Sequence, residues 1–465
     1  MDTGVDGELP TSLDERTTLI PKISSRRVIC ATLISIWGTF SFGYSLGYSS
    51  PASYDLQSNS SASVDVRLDS SQQSWFSSLV AIGALFGGVI GGKAVDLIGR
   101  KFAIIVGSIP FALGWLLIFL AKNRAMLYTG RIFTGVGCGI ETLAVAVYIA
   151  EISPAHLRGM LGALNQVAVT LGIILAYVIG YFVLWDWLAL VGCFPAALLF
   201  VLMFFMPESP RWYLEKNRKS DALKSLLWLR GSQTGIEDEC KEIEATLELR
   251  VQINCQEFFT APVAKPVLIS VGLLFFQQIT GINAVLFNAA DIFSKAGLGD
   301  PKLVSLPVSL VELAGTVSAC YLVEKLGRRL LLWTNALGMG VSLIGLGVYF
   351  EIYQAHSGIS WLSILTSVLF SFFFSLAWGP VPFLYMAEVI PLRARGVGTS
   401  LATMASWVSL FLVTRTYANL ESAFGNQGAC WFYAAWCCVA FVIVVLFVPE
   451  TKGKTLEEIE ASFNP

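Results

Sequence analysis

The sequence predicts an all-α membrane protein of twelve transmembrane helices, arranged as two six-helix repeats. Three observations predict it. Hydrophobic residues make up 55% of the chain and charged ones 14%, against about 25% charge in soluble domains. The apolar residues come as separate runs of bilayer length, and a spanning helix needs roughly 20 of them. The charged motifs between the runs recur in the same order in the two halves of the chain.

The elements follow in order. Residues 1–27 are polar and read as a cytosolic tail. The first apolar run is long enough to span, so it is expected to stay as a helix rather than be cleaved as a signal peptide. Spans are expected near 28–49, 74–95, 102–121, 126–149, 160–184 and 187–206, which form the first bundle, 28–206. Residues 207–262 are rich in charge (Arg211, Glu215, Lys216, Arg218, Lys219, Asp221, Lys224) with apolar residues between, and read as an amphipathic helical linker. Spans near 264–290, 303–323, 330–352, 361–387, 396–418 and 428–448 form the second bundle, 263–448, and residues 449–465 form a second cytosolic tail.

Lys and Arg are retained on the cytoplasmic side. With both termini inside, the outer loops and helix ends hold Arg67, Lys122, Arg124, Lys295, Lys302 and Arg415 out of 31 basic residues, and nearly all the rest fall on the inner side. A net charge of -2 argues against nucleic acid as a partner. Most of the nine cysteines lie inside apolar runs and no Cys-x-x-Cys pair occurs, so neither a disulfide framework nor a metal site is expected. No cofactor is expected either. His156 and His356 sit at or outside helix ends, and no nucleophile–base pair can be assembled, so the chain does not read as an enzyme.

The repeat is explicit. Asp96-Leu-Ile-Gly99-Arg100-Lys101 follows the second span, and Glu324-Lys-Leu-Gly327-Arg328-Arg329 the eighth. Glu151-x6-Arg158-Gly159 follows the fourth, and Glu388-x6-Arg395-Gly396 the tenth. Pro207-Glu208-Ser-Pro-Arg211 ends the sixth, and Pro449-Glu450-Thr-Lys-Gly453 the twelfth. Solvated turn residues that merely fix topology would explain one such cluster but not matched sets. Acids and bases at the same membrane face are expected to form ion pairs between helix ends. Such pairs would hold the cytoplasmic side shut while a cavity opens outward, and would break when it opens inward. Parallel six-span repeats that rock about a midplane site are a transporter architecture.

These motifs resemble the major facilitator superfamily and, within it, the sugar porters. Gly130-Arg131-x3-Gly135, Gln277-Gln278-Ile-Thr-Gly281-Ile-Asn283 and Trp378-Gly379-Pro380-Val-Pro382 carry the likeness, with the two Pro-Glu motifs. The likeness covers nearly the whole chain and is greatest to the animal facilitative glucose transporters of the intracellular group, called class III. It implies a hexose substrate and alternating access. A hexose needs fixed amides and hydroxyls to replace its water, and flat rings to cover its C–H faces. Asn and Gln both donate and accept and are costly to leave unpaired in a membrane, so Gln277, Gln278 and Asn283 in the seventh span stand out. Positions 277 and 283 are about 240° apart on an unbroken helix, so Thr280 and Gly281 suggest local unwinding. Interhelical hydrogen-bond glue is the competing reading of these amides. By resemblance, Gln166, Gln277, Gln278, Asn283 and Trp407 match sugar-contacting positions, and Trp378 opens the Gly-Pro-x-Pro break of the tenth span.

The departures are informative. Phe383 stands where the family usually has a second tryptophan, and Ala146 where it has proline. Glu312 replaces an amide and Glu141 a small hydroxyl residue, and ionisable groups at membrane depth are functional candidates. Proton-coupled members carry Asp after Phe-Gly-Tyr in the first span, whereas here Phe42-Gly43-Tyr44 is followed by Ser45, which leaves Arg131 without that potential partner. Facilitated diffusion is therefore expected. The alternatives are a proton-coupled symporter using Glu312 or Glu141, and a sensor that binds sugar without turnover. Beyond lipid and hexose, one protein partner is expected. Glu15, Leu19 and Ile20 fit the acidic dileucine pattern read by clathrin adaptors, which implies endosomal or lysosomal membranes with cycling through the plasma membrane. Asn59 fits the N-glycosylation acceptor in the first outer loop.

Overall fold

The computed structural model describes residues 25–57, 66–231, 235–248, 258, 260–295, 301–353, 361–391, 394–454 and 456–463. Glu15, Leu19, Ile20 and Asn59 lie outside the described residues. Among the described residues, eleven helices are long and apolar enough to cross a membrane. The last of them, Arg395–Phe447, contains Gly425 at φ 73° and ψ 173°, so it is two helices end to end and the spans number twelve. They are α1 (Arg26–Gln57), α2 (Ser70–Leu97), α3 (Arg100–Phe119), α4 (Arg124–Ile152), α5 (Leu157–Phe182), α6 (Trp185–Met203), α7 (Ala261–Phe287), α8 (Pro301–Leu326), α9 (Arg328–Ile352), α10 (Trp361–Val389), α11 (395–424) and α12 (426–447).

Helix α1 runs to Gln57, beyond the expected end at residue 49. Its last turns, through Ser49, Ser50, Pro51 and Ser53, are buried among other helices rather than facing lipid, so hydropathy underrates them. Small residues set the helix spacing, as expected where lipid offers no hydrophobic drive between helices. A Cβ on Gly83 or Gly87 of α2 would collide with the carbonyls of Ile132 or Val136 on α4, and one on Gly135 with that of Val80. Between the halves, α2 packs along α11 and α5 along α8.

The repeated motifs build the same cage at one end of each half. Glu208 accepts from the backbone N–H groups of Arg100 and Lys101, and Glu450 from those of Arg328 and Arg329. Each carboxylate thus caps the N-terminus of the next-repeated helix, α3 or α9, where the helix dipole favours an anion. Gly99 and Gly327 precede these helices at φ 98° and 90°, and a side chain there would strike the capping carboxylate. Arg100 then pairs with Glu151 at 2.8 Å and Glu215 at 3.1 Å, while Arg328 pairs with Glu388 at 2.7 Å and Glu324 at 3.3 Å. Ser209 and Thr451 each donate to a carboxylate oxygen, of Glu151 and Glu388 respectively. Tyr148 and Tyr385 donate to the carbonyls of Pro207 and Pro449. Burial pushes the Glu208 carboxyl above the usual carboxylate range despite its backbone bonds. At Glu450 burial acts the same way, but four backbone N–H donors outweigh it and hold the carboxyl below that range.

These ion pairs lie inside each half and are intact here. Arg329 donates to Val445 O and Arg395 to Ala387 O, both within the second half. Among the described residues, Asp96 and Arg158 enter no salt bridge. The linker forms short helices at Pro210–Glu215, Lys219–Arg230 and Ile236–Glu248. Leu214, Leu226, Ile236 and Cys240 make its apolar core, Arg230 clasps Glu239 at 2.6 Å, and Arg230 also donates to Ile152 O at the end of α4.

Candidate functional site

Two interrupted helices meet in the second half. Helix α7 stops at Ile279 and resumes at Ile282. Gly281 between them has φ 92°, and a Cβ there would lie 2.6 Å from the Tyr433 ring, so both backbone and space require glycine. Helix α10 passes through a π-helical turn at Phe374–Trp378 and restarts at Val381. Pro382 has no N–H to serve the carbonyl of Trp378 four residues earlier. Gln277 fills that role from α7: its Nε2 donates to Trp378 O at 2.8 Å and to Gly379 O at 2.9 Å. Its two donor hydrogens therefore brace one broken helix against the other.

The other amides form a chain from this brace. Gln278 Nε2 donates to Gln277 Oε1 at 3.3 Å and to Ser406 Oγ on α11 at 3.1 Å. Asn283 Nδ2 donates to Gln278 Oε1 at 2.6 Å. All of Gln278's polar atoms are engaged. Among the described residues, Asn283 keeps its carbonyl oxygen and one N–H hydrogen available. Gln166 of α5 is half-buried, and its side chain makes no hydrogen bond among the described residues. One turn along, Thr170 Oγ1 meets Thr316 Oγ1 of α8 across the halves at 3.4 Å. Glu312 lies one turn before Thr316, whose hydroxyl donates to the Glu312 carbonyl. Because α5 and α8 run in opposite directions, Gln166 and Glu312 flank that contact from its two sides. Glu312 is buried with one carboxylate oxygen unpaired.

The aromatic candidates divide. Trp407 is 8% exposed and faces the edge of Phe42 from α1 at 5.8 Å, so two rings from opposite halves come together. Trp378 is fully buried and donates to Leu332 O at 3.0 Å. It packs α10 on α9 and reaches no open space in this state. Phe383 is exposed. Sequence reasoning missed Ser406 and Phe42. Ser406 adjoins Trp407, and a hydroxyl beside that ring was the available signal.

Two charged groups of the first half remain. Arg131 is fully buried and donates to Ser45 O at 3.1 Å, Ser49 Oγ at 2.6 Å and Phe76 O at 3.2 Å, with the Tyr48 and Phe76 rings beside its guanidinium. Neutral acceptors thus take the place of a carboxylate. Glu141 is fully buried with both oxygens unpaired, lodged so that a Cβ on Gly107 of α3 would lie 2.5 Å from it. It sits away from the amide chain, inside the first bundle. No group of His, Cys, Asp and Glu able to hold a metal occurs among the described residues.

A family model described as "Sugar (and other) transporter" matches residues 30–463. The chain is 36% identical over 463 residues to the mouse protein "Solute carrier family 2, facilitated glucose transporter member 8", covering 94% of each. It is 38% identical over 441 residues to "Facilitated trehalose transporter Tret1" of Bombyx mori, covering 93% of this chain and 86% of that protein. Among solved structures, the inward open conformation of the xylose transporter XylE from E. coli superposes with a TM-score of 0.80 at 27% identity, covering 94% of this chain and all of that one.

Proposed function

This chain belongs to the sugar transporter family, and from that premise we propose that it carries a hexose down its gradient by alternating access, with the amide chain at the breaks of α7 and α10 as the heart of its site. The observation that carries the reading is the free capacity of Asn283, Gln166 and Glu312 beside the interface of the two halves, next to the paired rings of Trp407 and Phe42. Gln278 and Ser406 hold Asn283 in place, and Gln277 fixes the fold of the site. Trp378 stiffens its floor, and on the rocking of the halves it stays with α9.

Facilitated diffusion fits the neutral lodging of Arg131, which already has three acceptors and needs no titrating partner. The cages around Arg100 and Glu151, and around Arg328, Glu324 and Glu388, serve the cytoplasmic gate on this reading by keeping each half rigid as the halves rock, with Asp96, Arg158, Arg329 and Arg395 at the same end and both termini cytosolic. The dileucine Glu15, Leu19 and Ile20 would recruit a clathrin adaptor and keep the protein in endosomal or lysosomal membranes. Asn59 would carry a glycan. The mouse and silkworm relatives bring glucose and trehalose as the substrates to try first.

A second reading, proton-coupled symport, is favoured by the unpaired carboxylate oxygens of Glu312 and Glu141. Counterflow of labelled glucose, xylose and trehalose in proteoliposomes tests both, run with and without a pH gradient. Exchange without gradient-driven accumulation supports the uniporter. Accumulation that follows the gradient overturns it, and the absence of exchange of any sugar overturns the site.

A further inference from the structure

At the ends of the helices opposite the two cages, the halves are tied together by groups the sugar site does not use. Asp55, in the last turn of α1, forms an ion pair with Lys302, in the first turn of α8, at 2.7 Å, with side chains 5% and 13% exposed. Lys302 also donates to Gly180 O of α5 at 3.0 Å, so one ammonium joins three helices. Around it, Tyr177 of α5 donates to Leu286 O of α7 at 2.8 Å. The Ala290 N–H donates to Ser50 Oγ of α1 at 3.1 Å, and Gln73 Nε2 to Asn288 Oδ1 at 3.4 Å. Each of these bonds runs from the first half to the second. The cages at the other end are internal to their halves.

We propose that Asp55 and Lys302 form a charge latch that holds the outer side of the carrier closed, and so are positioning residues for its conformational step. This rests on the alternating-access reading. A contact made in only one of two states biases their equilibrium by its whole differential free energy. If the outer ends part, both charges separate and each must be met by water. Among the described bonds of the seam this pair is the ionic one, with Asp55 buried and Lys302 largely so. Removing one partner leaves a bare charge inside the closed state, which is worse than removing both. Single neutralisations should therefore favour the outer-open state, and the double neutralisation should return toward the parent.

The test is hydrogen–deuterium exchange on the full chain in lipid nanodiscs, read at peptides covering residues 174–183 and 282–290, with sugar counterflow measured beside it. D55N and K302M should each speed exchange at these peptides by roughly tenfold or more. Peptides around Arg100 and Arg328, inside the intact cages, should be unchanged, which separates release of the latch from general unfolding. The D55N/K302M double variant should exchange more slowly than either single one. Native exchange in both single variants, or a double variant equal to the sum of the singles, overturns the proposal. Absence of counterflow in the parent protein would strike the transport reading alone, because exchange reports the latch without sugar.

Discussion

Two adjacent glutamines and an asparagine look equivalent on paper, and replacing each separates ligand from brace. Asn283→Ala removes a carbonyl oxygen and an N–H hydrogen that no described residue uses, and it removes the 2.6 Å bond that holds Gln278 Oε1. Gln277→Ala strips two carbonyls, of Trp378 and Gly379, of their donor inside the membrane. A buried hydrogen-bonding group is worth about 1–3 kcal/mol, and about 1.4 kcal/mol is tenfold. Asn283→Ala should therefore raise the KM for exchange by roughly 5- to 150-fold, with thermal stability in detergent close to the parent's. Gln278→Ala should show the same weakening, in smaller measure if Ser406 and water hold Asn283. In Gln277→Ala the same cost falls on folding, so the Tm and the yield should drop first. Counterflow kinetics paired with thermal melting reads both. A native KM in Asn283→Ala, or a stable Gln277→Ala protein whose only defect is affinity, would refute this division of roles.

Glu312→Gln keeps the shape of the side chain and removes its charge. Exchange should persist in this variant with less dependence on pH, and loss of gradient-driven accumulation with exchange retained would overturn the uniporter reading. Gly281→Ala puts a Cβ 2.6 Å from the Tyr433 ring at a φ of 92°. Strain at such a position costs on the order of 1–3 kcal/mol, so transport should fall along with the melting temperature, and an unchanged protein would show that the break tolerates a helical residue. Leu19→Ala with Ile20→Ala should raise the surface fraction measured by biotinylation, and an unchanged fraction would mark the motif as idle.

The twelve spans were legible because lipid demands apolar runs of fixed length, and the repeat was legible because its charges sit where runs end. The break of α7 could be read from Thr280 and Gly281, and that of α10 from Gly379, Pro380 and Pro382. Neither the division between Gln277 and Gln278 nor the role of Trp378 could be read. The first depends on a carbonyl orphaned by Pro382 coming to lie beside α7, and the second on how α10 packs against Leu332. The extra turns of α1 escaped notice because buried serines look like loop. Asp55 and Lys302 escaped because their pairing needs the ends of α1 and α8 to face each other, a matter of helix tilt rather than of local sequence.

The matched cages also divide mechanical labour. Each stitches its own half into a unit that turns without shearing, so deformation is excluded from that end of both halves. The left-handed and π-helical interruptions inside the membrane, at Gly281 and at Phe374–Trp378, both belong to the second half, whereas the first has a single turn at Ile36 within α1 among its described spans. The six spans of the first are knit by glycines with no left-handed residue inside them. Two copies of one plan have thus become a frame and a jaw, with the sharpest breaks in the half that carries the amide chain.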